Sequence, residues 1–572
     1  MHTLARVHLE FDEQQLELEI GKRLSVDALY VDFNVHQEAG AQRIRLTIHP
    51  KRDLVLHRVE LVFKEPFRTG DQIFCNGFQS WSESREYDFE EGIPPLRRLA
   101  RPYLRYYGDE YLPDVQRGRG RLHSWTYSYL RRGQHLAFIG SLLEATGFTL
   151  IQYDRAAQQI RIRKDCRGLQ VKHSYPTFDL LLLEGMEQAV FDRYFELLEC
   201  PPPRAPRVTG WTSWYNYYTD INEALLLENL EALAAAPHDF DIFQIDDGYQ
   251  TYVGDWLSTK PSFPRGMAPL AQQIRQRGLQ PGLWLAPFVC DPRSELYRQH
   301  PDWLLRDRSG QPIKVGYNPA WGGWYYALDF YQPGVQEYLT RVFYQVLDQW
   351  GYQIVKLDFL FAACIHPPVQ KTRGQVMHEV MAFLRRLVGD RWILACGVPL
   401  GTCFGMVEYC RIGADIHLQW EHRFLRFLRM RERVSTIVAL RTVIGRRQLN
   451  GRAFHNDPDV FLLREHNIQL SAPQQYTVLL LNTLLGHLLF TSDNLSKYSE
   501  EQLLELAEVF HWRNVAVRRV DALGGDRYLI HFKREAQAYV ACCNLSGRAA
   551  AIQSGALRVT LEAYESLVLR ST

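Results

Sequence analysis

Two aspartates carry the first chemical suggestion in this sequence. Asp358 lies in VKLDFLF, where apolar Val355, Leu357, Phe359 and Leu360 surround Lys356 and the carboxylate, and Asp415 lies in CRIGADIHLQW. Lys356 and Asp358 share one face of a strand by the period of two, so a cation is expected beside the acid, holding its pKa low. An ionised, low-pKa carboxylate is what a nucleophile requires. A second carboxylic acid would then serve as proton donor and acceptor, and one attacking carboxylate with one acid/base is the pairing that glycoside hydrolysis uses. Further strand-end groups stand at Trp211 and Trp214 and at Asp246 and Asp247 of QIDDGYQ. Each has a plainer reading: an isolated acid of this kind is usually solvated, and paired aspartates often cap the next segment.

The elements that would position these groups follow from the rhythm of the chain. From about Val208 onward, short apolar runs alternate with helical stretches: VTGWTSW then INEALLLENLEALAAA, FDIFQIDDG then MAPLAQQIRQRG, PGLWLAPF, YQIVKLDFLF then GQVMHEVMAFLRRLVG, WILACGV, EYCRIGAD, and HLLFTSD as an eighth strand. Such alternation implies parallel strands, and about eight units imply a (β/α)8 TIM barrel, whose catalytic groups come from the C-terminal strand ends. Before it, segments such as LHRVELVF, RIRLTIHP and LAFIGSLL alternate with turn signals and read as an antiparallel β-sandwich. Pro201, Pro202, Pro203 and Pro206 mark the linker. RYLIHFK, AYVACCNL, ALRVTLEA and ESLVLRS form a closing antiparallel β-domain. The expected multidomain layout is an N-terminal β-sandwich over residues 1–200, a barrel over 201–515 and a C-terminal β-domain over 516–572. Cys542 and Cys543 should face opposite sides of one strand. The run RFLRFLRMRER, with Arg423, Arg426 and Arg429 opposite Phe424, Leu425, Phe427 and Leu428, is expected as an outer barrel helix.

Composition narrows the partners. With 66 Lys plus Arg against 65 Asp plus Glu, the formal charge of +1 lacks the footprint of a nucleic-acid or anionic-membrane binder. A neutral small-molecule partner fits better, and 13 Trp with 30 Tyr supply flat faces on which sugar rings stack. The N-terminus shows no apolar leader, and the longest apolar stretch, Tyr476 to Phe490, is interrupted by Asn482 and His487, so a cytoplasmic protein is expected. The 10 cysteines match no zinc spacing and read as reduced thiols. Asp457 and Asp459 in NDPD lack a calcium-loop spacing and read as a seventh-strand turn, with Asp457 near the pocket. No metal and no cofactor is called for, and homo-oligomerisation is left open.

In order along the chain, GWTSWY, QIDDGYQ, GLWLAPF, VKLDFLFA, ACGVPLG, CRIGAD and NDPDVFLLRE resemble the retaining α-galactosidases of glycoside hydrolase family 36, in its short bacterial, melibiase-like form. That resemblance implies Asp358 as nucleophile and Asp415 as acid/base. It implies Asp246 and Asp247 on the galactose O4 and O6 hydroxyls, Lys356 on the O3 and O4 side, and Arg411 near O2. Trp214 and Trp284 would wall the pocket, Cys396 and Gly397 would line the O2 side, and Trp81 of FQSWSES would reach over the barrel mouth. Trp284 reads equally as barrel core. The implied activity is exo-hydrolysis of terminal α-galactose from small carbohydrates such as melibiose and raffinose. An α-N-acetylgalactosaminidase, a galactosyl-transferring relative and a catalytically silent galactoside-binding protein stay as alternatives.

Overall fold

The computed structural model describes residues 3–18, 24–38, 40–555 and 557–571. Its centre is a parallel sheet of short, mostly buried strands, of which IFQI and IVKL show the apolar run of a sheet covered on both faces. We number these strands β1 (Val208–Thr212), β2 (Ile242–Ile245), β3 (Gln280–Leu285), β4 (Ile354–Leu357), β5 (Trp392–Ala395), β6 (Tyr409–Arg411), β7 (His455–Asp457, resuming at Val460–Phe461) and β8 (Leu488–Thr491). Each pairs in parallel with the next, and β8 returns to β1. The first part of β7 pairs with β6 and, past Pro458 and Asp459, its second part pairs with β8. One run of chain therefore joins the two ends of the sheet, giving a TIM-like arrangement.

Helices of at least ten residues follow seven of these strands. The exception is β5, after which the described chain makes only the single turn Leu400–Thr402. A regular (β/α)8 pattern thus lacks one helix. The reason is packing: Gly401 lies so close to Thr126 and Glu144 that a Cβ there would meet both, so loops between strands of the N-terminal region occupy the place. RFLRFLRMRER also departs from expectation. It forms only the short helix Arg423–Phe427 in the loop after β6, with Phe424 and Phe427 exposed, and the outer helix after β6 is Thr436–Gly445. The i, i+3, i+4 pattern marks a helical face but does not say whether another element covers it.

Ahead of the parallel sheet, two antiparallel sheets of seven and eight strands share one apolar core built from Val59, Leu61, Ile151 and Ile162 of one and Ile44, Leu46, Ile139 and Leu180 of the other. After it, a four-stranded antiparallel sheet begins at Ala516–Ala522 and is joined by a two-stranded pair. Cys542 and Cys543 there are both buried, in different apolar clusters, as opposite faces of a strand require. The stretch from Tyr476 runs through the buried helix Ala472–Leu485 into β8. Among the described residues no helix is long and apolar enough to cross a membrane.

Among the segments by which the N-terminal region meets the parallel sheet, the loop of residues 76–84 is bonded to the strand-end loops. Buried Arg446, at the end of the helix after β6, donates to Asn76 Oδ1 at 2.9 Å, to the Gln79 carbonyl at 3.2 Å and, on its other side, to the Ile412 carbonyl at 2.8 Å. Ser80 N donates to the Val398 carbonyl at 2.9 Å in the loop after β5. Removing the guanidinium would orphan several buried acceptors, at about 1–3 kcal/mol for each that finds no water. Arg446→Met should therefore lower unfolding stability by about 3 kcal/mol, whereas Arg277→Met, which breaks an exposed pair with Glu231, should cost at most about 1 kcal/mol. Urea denaturation followed by tryptophan fluorescence reads the difference.

Candidate active site

The side chains at the C-terminal strand ends fall into two linked groups. The first starts at β2. Asp246 Oδ2 accepts from Lys356 Nζ at 2.8 Å, Gln244 Nε2 at 3.0 Å and Thr212 Oγ1 at 3.3 Å, joining groups from β1, β2 and β4. Burial alone would lower the Lys356 ammonium, but Asp246 beside it more than reverses that and holds it charged. Asp247 is buried too and is held by Gln250 Nε2 at 2.6 Å and Trp321 Nε1 at 2.7 Å. Burial pushes its carboxyl up to about 6, with the Asp246 charge adding to the rise. No helix begins at this pair, so helix capping is not its role.

Asp358 follows β4 directly and is buried. Its Oδ2 accepts from Trp284 Nε1 at 3.0 Å and its Oδ1 from the Phe359 amide at 2.9 Å. The expected pairing with Lys356 is corrected here: the ammonium's salt bridge is to Asp246, across the sheet. Burial pushes the Asp358 carboxyl above its ordinary value, although Lys356, Trp284 and the Cys396 thiol all pull it down. The Asp415 charge is near enough to add to the upward push. Sharing a strand face with a cation did not decide the pKa, because that cation has a closer partner and the site excludes water.

The second group surrounds Arg411 at the end of β6. Its fully buried guanidinium donates to Asp457 Oδ2 at 2.9 Å and Asp415 Oδ1 at 2.8 Å, and Nη2 lies 2.8 Å from Asp459 Oδ1. Asp459 also accepts from Tyr215 Oη and, at 2.8 Å, from the Ile416 amide. Burial, together with Asp415 and Asp457, pushes the Asp459 carboxyl up to about 7 against the pull of Arg411. Asp415 itself keeps 34% of its side chain exposed, so one acid of the pair is dry and the other faces the opening. Phe359 and Asp459 sit at φ +55° and +83°, left-handed conformations that are uncommon for residues other than glycine and cluster where a site needs a sharp turn.

The loop from the N-terminal sheets closes one side. Trp81 Nε1 donates to Cys396 Sγ at 3.2 Å, and its ring meets Phe359 and Phe361 edge-on at 5.0 and 5.7 Å. Gly397 has φ +57°, and a Cβ on it would lie 2.9 Å from the Trp81 ring, so this position needs glycine for both conformation and space. Trp284 is buried between Trp256 and Trp321 while reaching Asp358, so it is core and site at once. Trp214 is half-buried at the start of the short helix Trp214–Tyr217 after β1, its ring edge-on to Tyr218. Trp211 points into the core, stacked on Phe243 at 4.4 Å.

Several site residues escaped the sequence reading. Trp321 comes from a hairpin, Lys314–Asn318 with Gly323–Ala327, inserted after β3, and no strand-end rule points there. Tyr215 follows Trp214 in GWTSWY, and its spacing gave no sign of its bond to Asp459. Tyr107 lies near the Asp358 charge, from the N-terminal region.

Asp247 provides a pH test. The folded protein keeps its proton up to about pH 6, while the unfolded chain releases it near the ordinary value of about 3.9. The native state therefore binds more protons in that window, and its stability falls as pH rises through it. Asp247→Asn should gain stability relative to the wild type by about 2 kcal/mol between pH 4 and pH 7, measured as the difference in urea unfolding free energy at the two pH values.

Comparison with known proteins agrees with this geometry. The Melibiase family matches residues 206–387. The α-galactosidase AgaA of Geobacillus stearothermophilus is 33% identical over 242 residues, covering 39% of this chain and 32% of that protein. The matched region thus spans about a third of that curated relative. The α-galactosidase of Thermus thermophilus, solved with p-nitrophenyl α-D-galactopyranoside, superposes with a TM-score of 0.71 at 28% identity, covering 89% of this chain and 98% of that one. Its complex with stachyose gives a TM-score of 0.69 over 86% of this chain and 99% of that one, again at 28% identity. In its sequence strings, its fold and the two carboxylates that follow β4 and β6, this chain is similar to the α-galactosidases of glycoside hydrolase family 36.

Proposed function

We propose that the protein is a retaining exo-α-galactosidase that releases terminal α-linked galactose from small galactosides such as melibiose and raffinose. The observation that carries this reading is the pair Asp358 and Asp415: two carboxylates at the ends of β4 and β6, electrostatically coupled, one dry against Trp284 and one on Arg411 facing the opening. The relatives solved with an aryl galactoside and with stachyose support it.

In this reading Asp358 attacks C1 while Asp415 gives its proton to the departing glycosidic oxygen. Asp415 then takes a proton from water, which displaces Asp358 and returns the α configuration. Asp246, Asp247 and Lys356 would grip the O3, O4 and O6 hydroxyls, so that an epimer with O4 in the other orientation leaves buried charges unpaired. Arg411, Cys396 and Gly397 would border O2, with Trp284, Trp214 and Trp81 as walls. We assign residues 1–200 to a β-sandwich domain, 201–515 to the catalytic barrel and 516–572 to a C-terminal β-domain, which is in keeping with the separate cores of the sheets. The ten free thiols suit a reducing, cytoplasmic compartment.

Hydrolysis of the 4-nitrophenyl α-glycosides of galactose, N-acetylgalactosamine and glucose tests the assignment. The galactoside should have the highest kcat/KM, and Asp358→Ala should lower it by at least about 10³-fold. If the N-acetyl sugar wins, the reading of the O2 side is wrong; if none is cleaved while galactose binds, the protein is a sensor. Azide should restore turnover to Asp358→Gly and give β-galactosyl azide, and an α-azide would overturn the nucleophile assignment. Asp415→Ala should lose far more activity on raffinose than on an aryl galactoside, whose leaving group needs little protonation.

A further inference from the structure

Two segments on the rim of the opening differ from the rest of the surface. One is the stretch around Arg98–Leu104 from the N-terminal region, and the other is the loop after β6 that carries Asp415 and the short helix Arg423–Phe427. They pack together through Leu96, Ala100, Leu428 and Met430, and the Arg97 guanidinium lies over the Phe427 ring at 4.0 Å. Above this small core four large side chains face solvent: Leu99 is 62% exposed, Phe424 61%, Phe427 53% and Tyr103 47%. Of the chain's 29 phenylalanines, these two are the only exposed ones among the described residues.

Around them arginine predominates, and the acids of the same loop, Asp415 and Glu421, are paired with Arg411 and Arg433. Arg98, Arg105, Arg423, Arg426 and Arg429 form no salt bridge among the described residues, and Arg101 reaches Glu110 only at 4.0 Å. Elsewhere on the molecule most arginines are paired with carboxylates. The overall charge of +1 conceals this local excess. A two-fold contact of the patch with itself would set arginine against arginine, which disfavours a second copy as the occupant. Phenyl and leucyl side chains offer no hydrogen bonds to a sugar or a polar protein surface. Apolar side chains ringed by arginine are the composition that enters the interfacial layer of a bilayer while the cations meet anionic headgroups.

We propose that this rim docks the protein on an anionic lipid surface, with the opening of the candidate active site facing the headgroups. The proposal is independent of the activity assigned above, because binding is read without a substrate. The test is co-sedimentation of the full chain with vesicles of phosphatidylglycerol mixed into phosphatidylcholine, against phosphatidylcholine alone, at 0.1 M and 0.5 M salt. Binding should require phosphatidylglycerol and weaken at high salt. Arg423→Gln with Arg426→Gln should weaken it roughly 30-fold, at about one basic residue's surface attraction each, and Phe424→Ser with Phe427→Ser should abolish it. Both double variants should keep the thermal midpoint and the aryl-galactoside kcat/KM of the parent, since none of these side chains contacts the catalytic pair. Equal binding to both vesicle types, binding unchanged in the variants, or concentration-dependent self-association that the variants abolish in place of vesicle binding would each overturn the proposal.

Discussion

Arg411 is the side chain on which the site depends. Three carboxylates converge on its buried guanidinium, from the end of β6 and from the turn that splits β7. Charges this deep cost several kcal/mol each unless paired, so without Arg411 neither Asp457 nor Asp459 could occupy its place. The same turn carries the chain from pairing with β6 to pairing with β8, so the ion cluster also fixes the seam that completes the sheet. Asp415 takes the remaining arm of the guanidinium at the one place where the cluster opens to solvent.

The opposite half of the site is organised by a second buried cation with a different task. Lys356 is committed to Asp246, which is already saturated by Gln244, Thr212 and its own backbone neighbour. Asp358 feels the Lys356 charge without a direct salt bridge and takes its hydrogen bonds from an indole, a backbone amide and a thiol. Two of those donors are themselves held from outside the parallel sheet: Cys396 accepts from Trp81, and Trp284 is wedged by Trp321 of the inserted hairpin. The barrel strands place the carboxylates, and the insertions and the N-terminal loop set how they are solvated.

What the sequence disclosed follows the same division. Strand positions, the acids at their ends and the antiparallel character of both flanking regions were legible, because alternation and strand-end placement are local properties of the chain. Lys356 was read as the partner of Asp358 from spacing on one strand; its real partner sits on β2, and only register across the sheet reveals it. RFLRFLRMRER carried a true helical period, yet periodicity is silent on whether a face is covered. The helix that a regular (β/α)8 pattern places after β5 is replaced by contacts of Gly401 with Thr126 and Glu144, which lie far away in the chain. Trp321 and Tyr215 were invisible for the related reason that their hydrogen bonds join distant elements.

The asymmetry of the two carboxylates follows from where the water is. Asp358 lies under Trp284, Phe359 and the Trp81 loop, so its ionised form rests on a few fixed donors that cannot reorganise. Asp415 is one-third exposed and tied to Arg411 by a single hydrogen bond, so it can exchange a proton with solvent and still be aimed. A group that must form and break a bond to carbon gains from fixed donors, because little reorganisation accompanies the charge it loses. A group that must give and take a proton in each cycle gains from access to water. Different surroundings for the same side-chain type are therefore enough to divide the two proposed roles, and here they combine groups on the strands, Trp284 and Arg411, with the Trp81 loop that covers Asp358 alone.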